Sequence, residues 1–181
     1  MKKILITIIL FFFNSSLNAN DREVELNQLF TELKKDIPFL SSKIEQQIWL
    51  IWSTHPTDQK LTSMLDEGSR LVQDRKLNRA ITVFTEAIEL DPLWAEAWNK
   101  RATVFYMVGE FQKSQNDINK VLKLEKRHFG ALAGQGLVNI QLRNYDKAKK
   151  SYQKAQKIYP SMKSSKLMIE QIEELIKRQS I

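Results

Sequence analysis

His55 and His128 are the two histidines of this chain, the side chains best suited to proton transfer or metal ligation near neutral pH. They stand 73 positions apart, and no ligand or catalytic motif surrounds either one. His55 precedes Pro56 in a predicted loop. His128 falls at a junction between predicted helices, where a hydrogen bond to backbone is its expected role. Carboxylates are plentiful, as in Glu170, Glu173 and Glu174, but they lie among lysines on a predicted helix surface, where ion pairing accounts for them. No phosphate-cradling loop, zinc motif or nucleophile elbow occurs. The absence of cysteine removes disulfides, thiolate metal sites, a cysteine nucleophile and a lipid-bearing cysteine anchor. These residues point to no enzyme, no metal, no cofactor and no small-molecule substrate.

The elements that would carry any other function are helices. Among 181 residues only five Gly and four Pro interrupt a chain rich in Lys, Leu, Ile, Gln and Glu. A 43% hydrophobic share is enough for one packed domain. The first residues are read separately. Met1-Lys2-Lys3 is basic, Ile4 to Phe13 is an apolar run, and Asn14 to Ala19 is a polar stretch ending in a small residue. That order describes a secretory leader, residues 1–19, cleaved between Ala19 and Asn20. This ten-residue run would rise about 15 Å as a helix, roughly half a bilayer core. An exported, periplasmic location follows, with anchoring to the membrane as the alternative if the segment is retained. Without Lys2 and Lys3 the chain holds 26 basic and 21 acidic residues, a net of +5. The densest basic group, Lys147-Ala148-Lys149-Lys150, sits in a helical pattern and reads as a solvated face, so no nucleic-acid partner is expected.

A repeat of 34 residues sets the architecture. Ala80, Ser114 and Ala148 are spaced by 34, as are Phe84, Ile118 and Tyr152, and Ala87, Val121 and Ala155. Gly68, Ala102 and Gly136 form a further small column, and Leu77, Phe111 and Tyr145 an apolar one. Small residues let paired antiparallel helices approach, and the large ones between them fill the remaining space. Pro92 and Pro160 end the second helix of their units, while Lys126 holds that column in the middle unit, whose turn must close without proline.

These residues resemble the tetratricopeptide repeat family. Trp98, Ala102, Phe105, Ser114, Ile118 and Val121 fit its pattern in the middle unit. Gly68, Leu71, Ala80, Phe84, Ala87 and Pro92 do so in the first, and Leu132, Gly136, Ala148, Tyr152, Ala155 and Pro160 in the third. Met64 replaces the usual aromatic, Glu67 and Gln135 replace leucine, and Asn139 replaces a bulky residue, so the first helices of units one and three are expected to pack loosely. The strings Trp98-Asn99-Lys100-Arg101-Ala102-Thr103 and Arg127-His128-Phe129-Gly130-Ala131 are also similar to small exported bacterial members.

The expected fold is all-α, a solenoid of helical hairpins. Units at 61–94, 95–128 and 129–162 lie between an N-terminal helical pair at 20–60 and a capping helix at 163–181. In the first flank, Asp36-Ile37-Pro38 breaks one helix and Ser42-Lys43-Ile44-Glu45 resembles a capping box that starts the next. This pair is expected to stack on the first repeat, with Trp49 and Trp52 in its core. Leu167, Ile169, Ile172, Leu175 and Ile176 make the apolar stripe of the final helix, which covers the last repeat.

The resemblance implies a binding face built from the first helix of each unit. It places there Ser69 and Gln73, then Asn99, Thr103 and Tyr106, then Ala133, Leu137 and Gln141. Gly130, Ala133 and Gly134 either leave room for a bulky partner side chain or relieve crowding between helices. The basic clamp that some members use on a C-terminal carboxylate is matched only in part, by Asn99 and Lys100. The implied function is a non-enzymatic scaffold that binds a protein or peptide in the cell envelope. The alternatives are a membrane-tethered assembly factor and an accessory subunit of an envelope enzyme complex.

Overall fold

A computed structural model describes residues 19–179, and the leader read at 1–19 lies outside them except for Ala19. Nine α-helices and no strands occupy the described residues: α1 Ala19–Leu33, α2 Pro38–Ser53, α3 Gln59–Gln73, α4 Leu77–Leu90, α5 Ala95–Met107, α6 Phe111–Leu124, α7 Phe129–Gln141, α8 Tyr145–Ile158 and α9 Lys163–Gln179. From α3 onward each helix packs on the next, so α3/α4, α5/α6 and α7/α8 are three antiparallel pairs closed by α9. The chain is all-α with tetratricopeptide-like hairpins.

Three features repeat with the sequence period. Residues 75, 109 and 143, each just beyond a first helix, have positive φ: Arg75 61°, Gly109 81° and Arg143 57°. In each turn the next amide donates back over five residues, from Lys76 to the Leu71 carbonyl, Glu110 to Phe105 and Asn144 to Asn139, each at 2.8 Å. These left-handed caps satisfy carbonyls that the helix end would orphan. The small columns are explained by rings. A Cβ on Gly68 would lie 2.3 Å from Phe84 Cε1, and one on Gly136 2.4 Å from Tyr152 Cε2. In the middle pair, where Ala102 replaces glycine, the slimmer Ile118 stands in the aromatic's place.

The middle unit closes its proline-free turn with a side chain. Glu125 Oε1 accepts from the Arg127 amide at 2.9 Å, as Asp91 Oδ1 accepts from the Leu93 amide at 2.8 Å one unit earlier. Both caps have the same extended backbone, with φ of −134° and −138°.

The N-terminal pair, expected to stack on the first repeat, instead shares its core with the third. Leu26, Phe30 and Leu33 of α1 and Ile48 and Trp52 of α2 share a core with Phe129, Leu132, Ala155 and Tyr159 of the third unit. Trp94 Nε1 donates to the Trp52 carbonyl at 2.9 Å, which ties the pair to the first unit as well, where Trp94 shares the core of Leu61 and Phe84. The hairpin thus runs along the edge where successive units join. Its second helix begins at Pro38, with Ile37 as cap residue and no side-chain cap, because proline's fixed φ suits the first helical position. Ser42 and Glu45 therefore lie inside α2 and form no capping box. Trp52 is buried and Trp49 half-buried. In α9 Ile172 is buried with Ile169 and Ile176 half-buried beside it, as the stripe predicts, whereas Leu167 faces solvent and Met168 takes its place against the cluster.

Loose packing is not seen in the first helices. Leu61, Leu65, Gly68 and Leu71 of α3 are buried, as are Leu132, Gly136 and Val138 of α7. Space opens instead on the side where Met64, Glu67, Gln135 and Asn139 replace larger apolar groups, in grooves of about 500 Å³ beside Met64 and Glu67 and about 420 Å³ beside Gln135 and Asn139.

Candidate functional site

Asn99, Thr103 and Tyr106 follow one another at helical spacing along one face of α5, and Gly130, Gly134 and Leu137 do so along the facing side of α7. Together they enclose a cleft of about 70 Å³, floored by Ala102, Ala131, Ser114 and Ile118. Four of the sequence-derived binding residues, Asn99, Thr103, Tyr106 and Leu137, line it. Gln141 joins its rim, since its Nε2 donates to Tyr106 Oη at 3.3 Å. Ser69 and Gln73 are not in the lining, and the Ser69 hydroxyl donates to the Leu65 carbonyl in its own helix. Ala133 turns to the other side of α7, against the cluster of Tyr152 and Ile172.

The small residues of α7 divide between the two expected roles. A Cβ at position 130 would lie 2.6 Å from Trp49, so the chain's own N-terminal hairpin fills the space that Gly130 leaves. At Gly134 the nearest atom is Ile118 Cδ1 at 3.6 Å, and the cleft stays open. Trp49 was invisible as a groove residue in the sequence because it meets Gly130 across 81 positions and no local pattern encodes that docking.

A buried polar node holds the N-terminal end of this cleft. His128 Nδ1 accepts the Ala131 amide at 3.0 Å, which leaves Nε2 protonated to donate to Glu96 Oε2 at 3.0 Å. Asn99 Nδ2 donates to the same oxygen at 3.1 Å, and the Trp52 ring stacks on the imidazole at 4.1 Å. Glu96 and His128 are 1% and 0% exposed, so no substrate reaches them and the pair serves to fix α5, α7 and α2. His55 repeats the device at the first junction: Nδ1 accepts the Asp58 amide at 2.9 Å and Nε2 meets Asp91 Oδ2 at 2.8 Å. Both histidines are junction residues. Among the described residues no cluster of three or more His, Asp or Glu is placed to hold a metal.

Among the described residues no cation lines the cleft. Lys100 Nζ faces the buried Glu96 at 3.4 Å. Arg101 points to the opposite face, where Nε and Nη2 pair with Asp117 at 2.8 and 2.9 Å and Trp98 and Phe105 flank the guanidinium. The partial match to a carboxylate clamp is thus disarmed by internal pairing.

Comparison with known proteins agrees with this architecture. Profiles of the tetratricopeptide repeat match residues 129–162 and 65–114. A TPR repeat-containing protein of Rhizobium etli is 31% identical over 150 residues, covering 82% of this chain and 73% of the relative. The human RNA polymerase II-associated protein 3 is 21% identical over 139 residues, but the match spans only 21% of that protein's length. Among solved structures, the first TPR of Spaghetti bound to the HSP90 peptide SRMEEVD aligns with a TM-score of 0.64 at 20% identity, over 66% of this chain and 94% of that one.

Proposed function

Because this chain belongs to the tetratricopeptide repeat family, we propose that it is a non-enzymatic scaffold of the cell envelope that grips a segment of another protein in the α5/α7 cleft. The supporting observation is the cleft itself, a preformed opening between first helices with polar Asn99, Thr103 and Tyr106 on one wall and Leu137 on the other. A solved relative holds a peptide, SRMEEVD, whose end is acidic. Among the described residues this chain's cleft has no cation, so its peptide presents an apolar side chain to Gly134 and Leu137 and neutral backbone to the amide and hydroxyl groups. The envelope location is supported by the basic-then-apolar order of residues 1–19.

Replacing Tyr106 with a photoreactive residue and cross-linking in the native envelope tests the scaffold. One abundant protein adduct, lost when Leu137 is changed to Asp, is the expected result. Absence of any adduct from position 106 would count against the cleft. Mass determination of the mature N-terminus separates the exported form, beginning at Asn20, from a membrane-tethered form that keeps Met1.

A further inference from the structure

The groove between α6 and α8 lies on the face opposite the cleft and carries a different chemistry. In the second and third repeats a first-helix side chain meets a second-helix side chain sixteen positions on, 101 with 117 and 135 with 151. In the middle unit this register holds the bidentate Arg101–Asp117 ion pair, and aromatic rings on both sides fill the space. In the third unit it holds a short neutral pair, Ser151 Oγ donating to Gln135 Oε1 at 3.0 Å, and the space stays open at about 420 Å³.

Amides and lysines line that opening, and no carboxylate does. One wall carries Lys147, Lys150 and Lys154 of α8, all exposed and, among the described residues, without an ion-pair partner, whereas the neighbouring Lys149 is engaged with Glu173 at 2.7 Å. The other wall carries Gln112, Gln115 and Asn119 of α6. Gln115 Nε2 donates to Asn119 Oδ1 at 2.9 Å, which orders the amide row and leaves the Gln115 oxygen and the Asn119 amino group free for a ligand.

We propose that this groove binds an acidic peptide segment in extended conformation. Its charge is uncompensated within the protein and complementary to carboxylates. Side chains on one face of an extended strand recur about every 6.6 Å, and Lys150 and Lys154 are separated by about 6 Å of helix rise. The amide wall offers both donors and acceptors, which match peptide N–H and C=O groups, whereas a phosphate backbone offers acceptors alone. This site is independent of the cleft on the other face.

Fluorescence anisotropy with a labelled hexaglutamate peptide and the purified protein tests the assignment. Saturable, salt-sensitive binding is expected, weakened about tenfold or more by the combined changes Lys147→Gln, Lys150→Gln and Lys154→Gln. Gln135→Leu, which refills the groove without altering net charge, weakens it too. The same number of charges removed elsewhere, by Lys157→Gln, Lys166→Gln and Lys177→Gln, leaves affinity within about twofold. Tyr106→Ala also leaves it unchanged, so failure here is separable from failure of the cleft. Equal losses from the two lysine triples, absence of saturable binding, or tighter binding of a single-stranded oligonucleotide through the same lysines would each overturn the proposal.

Discussion

At positions 68, 102 and 136 the chain carries Gly, Ala and Gly, and sixteen positions on it carries Phe84, Ile118 and Tyr152. Each small residue is the seat of the ring or branched chain that follows it, so volume is conserved across the pair. Tyr152 is 2% exposed and has nowhere to retreat. Gly136→Ala is therefore expected to destabilise the protein by about 1–3 kcal/mol through overpacking, read from urea unfolding. Gly134 supplies the contrast, because an added methyl meets Ile118 at an ordinary 3.6 Å. There Gly134→Ala gains helix propensity and should raise stability by about 0.5–1 kcal/mol. Equal effects from the two substitutions would show that helix propensity, and not the aromatic seat, governs this column.

Turns and junctions carry the information at the scale of elements. Gly109 has φ of 81° and no atom within 4 Å of an added Cβ, so Gly109→Ala isolates the backbone cost of the left-handed cap. About 1 kcal/mol of lost stability is expected. The α6–α7 junction is tied to the N-terminal hairpin through Arg127, which bonds to Glu125 at 2.7 Å and to Glu23 of α1 at 3.0 Å. Burial pushes the Glu125 carboxyl up, but the hydrogen bonds and charge of Arg127 outweigh it and hold the group below its ordinary 4.5. A lowered carboxyl stabilises the fold at neutral pH, and that contribution is lost as pH falls through the folded-state value. Between pH 6 and 3 the urea midpoint of the native protein should drop more steeply than that of Glu125→Gln. Parallel curves would remove this pair from the acid sensitivity.

Across the whole molecule the hairpin changes what kind of solenoid this is. Stacked repeats touch only their neighbours, and such arrays can open unit by unit. Here Trp52 packs on Phe129 of the third unit and His128 of the second, its carbonyl accepts from Trp94 of the first, and the segment leading to α3 is held by His55 on Asp91. One element thus bridges all three units, and native unfolding should be a single transition with helix signal and tryptophan fluorescence coincident. Trp52→Ala removes a 4%-exposed side chain, at an expected cost of about 3–5 kcal/mol, and should separate the two signals. Coincident curves in that variant would mean that the repeats cooperate without the hairpin.

Legible in the residues alone is what depends on neighbours within one unit: the helical class, the 34-residue period, the small and large columns, and the spacing that puts Asn99, Thr103 and Tyr106 on one face of α5. Those features arise from periodicity and from contacts sixteen positions apart, which every repeat writes again. The packed molecule was needed to show where the N-terminal pair docks, that Trp49 occupies the space above Gly130, that Ala133 faces away from the cleft, and that Gln135 and Asn139 open a groove and leave α7 well packed. Each of these is a single contact between distant segments, fixed by the competition of large side chains for one interior, and nothing in the local pattern repeats it.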